Sequence, residues 1–119
     1  MNLSILFAAI MMVESGGDVN AVGDGGRSLG PYQIGRAYWT DARQFDKTLP
    51  SYERGVKDSL TCRRAMRAYW LRYCPEALNR GDFETLARVH NGGPNGMRVK
   101  ATKGYWKRVK AELKKSEKK

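Results

Sequence analysis

Apolar positions run almost unbroken from Leu3 to Val13 (LSILFAAIMMV), and a glycine pair, Gly16 and Gly17, follows at once. A run of that length ending in glycine predicts a buried helix over residues 3–15, because glycine accepts the left-handed dihedrals that close a helix. Residues 16–34 (GGDVNAVGDGGRSLGPYQI) are glycine-rich with short apolar pieces, which suits turns and a small β-hairpin. In residues 36–46, Tyr38, Ala42 and Phe45 recur at helical spacing, and 47–56 read as a loop through Pro50. Between Asp58 and Tyr73, one helical face collects Cys62, Ala65, Met66, Tyr69, Trp70 and Tyr73. Asp82 is placed to cap a helix with the stripe Phe83, Leu86, Ala87 and His90, and the run NGGPNG (91–96) breaks it. Thr102 is placed to cap a last helix carrying Tyr105, Trp106, Val109 and Leu113, and the final nine residues (AELKKSEKK) read as a frayed, solvated end. With no internal repeat and no long linker, the pattern predicts an α+β fold, mostly α, with a hairpin after the first helix. Residues 1–113 form its single domain and 114–119 a basic tail.

The 119 residues suffice for one core, and 41% hydrophobic with 10% aromatic content excludes a disordered composition. A net charge of +10 directs the chain toward polyanions: nucleic acid, an anionic membrane or an acidic wall polymer. No nucleic-acid motif accompanies the charge. The N-terminal apolar run is too short to span a bilayer, no basic residue precedes it and no small-residue cleavage site follows. It therefore reads as a core helix, so no signal peptide and no stable membrane insertion are expected. The two cysteines, Cys62 and Cys74, lie twelve residues apart. On one continuous helix that is roughly 18 Å, against the ~7 Å limit of a disulfide, so free thiols are expected. With His90 the only histidine, no metal site is expected, and no cofactor.

Glu14 stands where the apolar helix meets the glycine break. A carboxyl held in apolar surroundings at a helix end becomes a proton donor usable near neutral pH, which cleavage of a glycosidic bond requires. Asp24 is the candidate second carboxyl, since the glycines between the two permit a tight fold-back. Asp18 and Asp41 compete with it, and Asp24 between Gly23 and Gly25 also reads as a turn residue. In Ser28–Ile34 (SLGPYQI), Tyr32 and Gln33 offer an aromatic face and an amide of the kind that binds sugars. In His90–Gly96, a polar helix end runs into glycines that admit a ligand close to the backbone, with His90, Asn91 and Gly92 foremost, although a histidine on an apolar face is also a common core residue.

Taken in order, ESGG, GDGGRSLGPYQI, AYWTD, ARVHNGGPNG and GYWKRV resemble the invertebrate-type (destabilase) lysozyme family, from about Val13 to Val109. The resemblance implies a lysozyme-like fold and a bacteriolytic muramidase. Such an enzyme hydrolyses the β-1,4 bond between N-acetylmuramic acid and N-acetylglucosamine. Glu14 matches the family's catalytic acid and Asp24 its second carboxylate, at a shorter spacing than usual. Ser28, Tyr32, Gln33, His90, Asn91 and Gly92 would line the cleft. The implied partners are peptidoglycan or chitooligosaccharide and the anionic bacterial wall, met by a monomer acting outside the cell or in the periplasm. Two departures are plain. Animal members are rich in disulfides, whereas here Gly17 follows the ESG element and no cysteine precedes Gly30. The same fold also carries lytic transglycosylases that use a single glutamate. The family's isopeptidase activity and a non-catalytic basic wall binder are further alternatives.

Overall fold

A computed structural model describes residues 2–117. Helix α1 spans Leu3–Ser15, opened by the Asn2 side chain accepting from the Ser4 amide at 3.0 Å. It closes at Gly16, whose φ of 65° lets its N–H reach the Met12 carbonyl. The helix buries Leu3, Leu6, Phe7, Ala9 and Ile10, while Ile5 and Met12 on the far side are exposed. Strands β1 (Val22–Gly23) and β2 (Ser28–Leu29) pair antiparallel, Val22 opposite Leu29, around a single 3-10 turn at Asp24–Gly26. The fold is thus mostly helical with one small hairpin after the first helix, as the pattern predicts.

Helix α2 (Arg36–Phe45) packs on α4 (Ser59–Tyr73), and α7 (Ala101–Glu117) lies against both α1 and α6 (Phe83–Gly92). Two short helices complete the set, α3 (Tyr52–Gly55) and α5 (Pro75–Arg80). Asp58 and Asp82 cap α4 and α6, each carboxylate accepting from the amide three residues on. Trp39, Trp70, Tyr32, Tyr105, Leu6, Ile10 and Met66 form the centre of the core, with the Phe7 and Trp70 rings stacked at 5.6 Å. The two indoles are buried without loss because Trp39 donates to the Pro50 carbonyl and Trp70 to that of Leu86, both at 2.9 Å.

Four local expectations are corrected. Phe45 is half exposed, and Trp39 takes the core position on α2 instead, because the buried stripe runs through Trp39 and Ala42. The loop at 47–56 contains helix α3, which docks the Tyr52 hydroxyl on the Ile34 carbonyl at 2.7 Å. Thr102 is no cap: it lies inside α7, fully buried, its hydroxyl sharing one hydrogen between the Gly96 and Val99 carbonyls, both at 2.7 Å, and accepting from Arg88 Nε. The C-terminal segment stays helical through Glu117, where Leu113 reaches the core and Lys115 pairs with Glu112. Of the basic tail, Lys118 and Lys119 lie outside the described residues.

Both cysteines are free and buried, and the Cys62 thiol donates to the Val56 carbonyl at 3.1 Å. Burial is the main cause that pushes the Cys62 thiol up to about 12 and the Cys74 thiol up to about 11. Neither thiol is therefore expected to react with a disulfide reagent at pH 8 in the native protein, whereas both react after unfolding. The same shifts set a pH dependence. In the unfolded chain a thiol ionises from roughly pH 8.5, while the folded chain holds the neutral form. Stability drawn from these groups is thus complete below that pH and falls as pH rises toward 11–12. Two thiols titrating fast in the native protein would contradict the burial.

Candidate active site

Glu14 sits on the last turn of α1, its side chain 16% exposed. The turn is pinned by Ser15, whose hydroxyl donates to the Pro31 carbonyl at 2.8 Å and so ties the helix end to the segment after the hairpin. Two side chains from the far end of the sequence meet the Glu14 carboxylate. The Tyr105 hydroxyl on α7 donates to Glu14 Oε2 at 2.9 Å, and His90 Nε2 on α6 stands 3.4 Å from the same oxygen. Burial, then the charge of Glu14 and the bond to it, holds the Tyr105 hydroxyl far above the ordinary tyrosine range, so it stays a donor.

His90 is almost enclosed, its side chain 2% exposed. Nε2 also lies 3.1 Å from the Tyr32 carbonyl, and Nδ1 lies 2.9 Å from the Tyr38 hydroxyl. Both neighbours of Nε2 are acceptors, so Nε2 carries a hydrogen. The Tyr38 hydroxyl, kept protonated chiefly by burial, donates to Nδ1 in the neutral ring. The Tyr38 ring is itself fixed by stacking on Tyr69 at 3.8 Å and 6°. Tyr105 thus bonds the carboxylate from α7, while Tyr38 on α2 and the Tyr32 carbonyl orient the His90 ring on α6, whose Nε2 stands 3.4 Å from Glu14 Oε2.

Asp24 stands at the tip of the hairpin, exposed, with a φ of 52° unusual for a residue with a side chain. Ser28 holds it, the hydroxyl donating to Asp24 Oδ2 at 2.7 Å across the β1–β2 turn. Of its competitors, Asp18 turns back on the Asn20 amide, and Asp41 accepts from the Tyr73 hydroxyl at 3.0 Å. Between the hairpin (Gly26, Arg27, Leu29) and the start of α2 (Arg36, Ala37, Tyr38) opens a hollow of about 460 Å³. Tyr38 lines this hollow and bonds His90, so the hollow lies next to the Glu14 cluster.

The remaining expected site residues are placed differently. The Tyr32 ring is 0% exposed, edge-on to Phe7, with its hydroxyl accepting from Arg63 Nε at 3.0 Å. A buried ring has no face to offer a sugar, and only the Tyr32 backbone reaches the site, through its bond to His90. The Gln33 amide is spent on the fold, donating to the Ala21 and Gly30 carbonyls at 3.1 and 2.9 Å and holding Gln33 itself at a φ of 52°. Asn91 is exposed at the end of α6, while Gly92 is packed under Thr102, so its missing side chain serves helix packing. Tyr38 and Tyr105 are the residues that periodicity misses, because it counts both as core; their signal was their place in the AYWTD and GYWKRV elements. Among the described residues no three His, Cys, Asp or Glu side chains gather as a metal cage needs.

The Destabilase family model matches residues 6–112, nearly the whole domain, and the chain belongs to that family. It is 39% identical over 85 residues to Lysozyme 1 of Crassostrea virginica, covering 71% of this chain and 45% of that one. To Invertebrate-type lysozyme 6 of Caenorhabditis elegans it is 36% identical over 72% of this chain and 67% of that one. The match to the oyster protein therefore takes in under half of its length. In three dimensions the chain superposes on the lysozyme of Meretrix lusoria, crystallised with PliI of Aeromonas hydrophila. The TM-score is 0.72 at 31% identity, over 88% of this chain and 85% of that one. The fold is accordingly lysozyme-like.

Proposed function

We propose that the protein is a muramidase, a glycosidase that hydrolyses the β-1,4 bond between N-acetylmuramic acid and N-acetylglucosamine in peptidoglycan. The observation that carries this reading is the Glu14 carboxylate, half-buried at the end of α1, with one oxygen accepting from Tyr105 and standing 3.4 Å from His90 Nε2. That arrangement fixes one carboxyl oxygen and leaves the other, Oε1, to give its proton to a leaving glycosidic oxygen. Asp24 on the hairpin then supports positive charge at the anomeric carbon or attacks it, and Glu14 returns as base toward water. The hollow beside Tyr38 takes the adjoining sugars. Lysozyme names among the relatives and the family match support the same reaction. On this reading the enzyme meets its wall substrate outside the cell or in the periplasm.

The same geometry weighs on the alternatives. An isopeptidase using Ser28 in a Ser–His arrangement needs an imidazole on its hydroxyl, yet that hydroxyl donates to the Asp24 carboxylate, and both His90 nitrogens are occupied by Tyr38 and Tyr32. The transglycosylase reading is separated by product. Mass spectrometry of digested peptidoglycan is expected to show reducing N-acetylmuramic ends. Anhydro ends would assign the transglycosylase, and free peptide the isopeptidase. Asp24→Asn is expected to remove most turnover, since it replaces the charge that faces the developing cation while keeping the Ser28 bond. Retained turnover with anhydro products would show that Glu14 works alone.

A further inference from the structure

Three hollows run side by side over the face built by α2 and α4. The first, about 390 Å³, lies between the first turns of α1 (Leu3, Ser4, Phe7) and Arg63, Arg64 and Arg67 of α4. The second, about 330 Å³, shares Arg64 and Arg67 and adds Lys47, with Phe45 and Leu71 as its apolar wall. The third, about 290 Å³, shares Lys47 and adds Arg43. Shared wall residues place the first beside the second and the second beside the third, so together they form a basic groove in three adjoining parts. Its lining carries Arg43, Lys47, Arg63, Arg64 and Arg67 against one acid, Asp46. None of its lining residues lines the hollow beside Tyr38 or touches Glu14, so the groove is separate from the Glu14 cleft.

The cations are not randomly splayed. Arg63 is set by its bond to the Tyr32 hydroxyl and lies over the Phe7 ring at 5.3 Å; Arg43 is set by its bond to the Leu49 carbonyl at 3.1 Å. Arg64 reaches Thr48 at 2.6 Å and Asp46 at 3.5 Å. Arg67 and Lys47 make no ion pair among the described residues. Arg63 and Arg64 lie four and three positions before Arg67 on α4, spacings at which like charges repel and destabilise a helix. An anion in the groove removes that repulsion, and planar guanidinium groups match phosphate with paired bonds.

We propose that this groove binds a linear phosphodiester polymer with a small polyol backbone, outside the Glu14 cleft. Three adjoining hollows, each lined by cations, suit a chain of phosphates rather than one anion. Phe45 and Leu71, half and 40% exposed, give the short carbon backbone an apolar wall. A single-stranded nucleic acid asks for successive aromatic platforms, and Phe45 is the one exposed aromatic ring here. The proposal stands independently of the muramidase reading, and its test reads binding and not lysis.

The test titrates poly(glycerol phosphate) into the full-length protein by calorimetry across a salt series. It compares wild type with Lys47→Gln/Arg64→Gln/Arg67→Gln and with the equally neutralised tail variant Lys107→Gln/Lys110→Gln/Lys114→Gln. All six positions are exposed, and circular dichroism melts confirm that each variant folds. The groove variant is expected to bind at least about tenfold more weakly at low salt. Its log K against log salt slope should flatten by about 2, from ~0.7 per lost contact on a single-chain polyanion. The tail variant should change much less. Equal losses in both variants would overturn the proposal in favour of net charge, as would no binding by wild type. Equally tight, groove-dependent binding to phosphatidylglycerol vesicles or to single-stranded DNA would overturn it in favour of those ligands.

Discussion

Glu14→Gln is expected to lower wall lysis by about 10²–10⁴-fold, the usual contribution of a positioned acid–base group, while leaving the melting temperature within a few degrees of wild type. The substitution keeps the shape of the side chain and an oxygen to accept from Tyr105, so the clamp at the end of α1 survives. What it removes is the proton that the leaving sugar oxygen needs. Turbidity loss of a wall suspension and a calorimetric melt, run on the same preparation, separate the two effects. Lysis within a few-fold of wild type would sink the assignment of Glu14. A collapse of the melting temperature would instead mean that the carboxylate holds the fold, through Tyr105 and His90, more than it serves chemistry.

The first helix, the hairpin, and the cores of α4, α6 and α7 were legible because each carries its own periodicity or its own breaker. Glu14 was legible for the same reason: it sits at a boundary that the local pattern defines. Phe45 and Trp39 show where that pattern runs out. Both are aromatic but lie about 120° apart around α2, and the position of α4 and the Pro50 carbonyl decides that the indole's side goes inward. Tyr32 shows the same limit at the site. An aromatic beside a glycine–proline turn looks available to a sugar, yet Arg63 and Phe7, thirty-one residues later and twenty-five earlier, draw it into the core. Tyr105 was hidden in the opposite way. Its ring is core, 2% exposed for the whole residue, and only the hydroxyl emerges at Glu14, ninety-one residues distant in sequence. No spacing rule reports a bond of that span.

Two identical substitutions, Gly96→Ala and Gly104→Ala, are expected to move stability in opposite directions. Gly96 follows the break after α6 and is buried against it, its amide bonded to the Gly93 carbonyl at 2.8 Å. A Cβ there would overlap the Arg88 carbonyl oxygen, with the Arg88 carbonyl carbon at 2.6 Å and Val89 Cα at 2.9 Å. All three are backbone, so no rotamer change relieves the contact and the loop itself must move. The loop is held by the buried Arg88, which donates to Thr102 at 2.9 Å, Glu84 at 2.7 Å and the Met97 carbonyl at 3.1 Å, while Thr102 donates to the Gly96 carbonyl. Shifting it strains that network along with the packing. A cost of about 1–3 kcal/mol or more is expected, or several degrees of melting temperature in a domain of this size. His90 lies only two residues beyond Arg88 on the same helix, so lysis should fall with stability even though no catalytic group is altered. Gly104 is the contrast. It lies inside α7 with nothing within 4 Å of an added Cβ, so alanine there only restrains the unfolded chain and should add about 0.5–1 kcal/mol. Denaturant midpoints for both variants measure the difference. If Gly96→Ala is as stable as wild type, the close approach of the 93–98 turn to α6 is wrong, and with it the account of what holds His90 against Glu14.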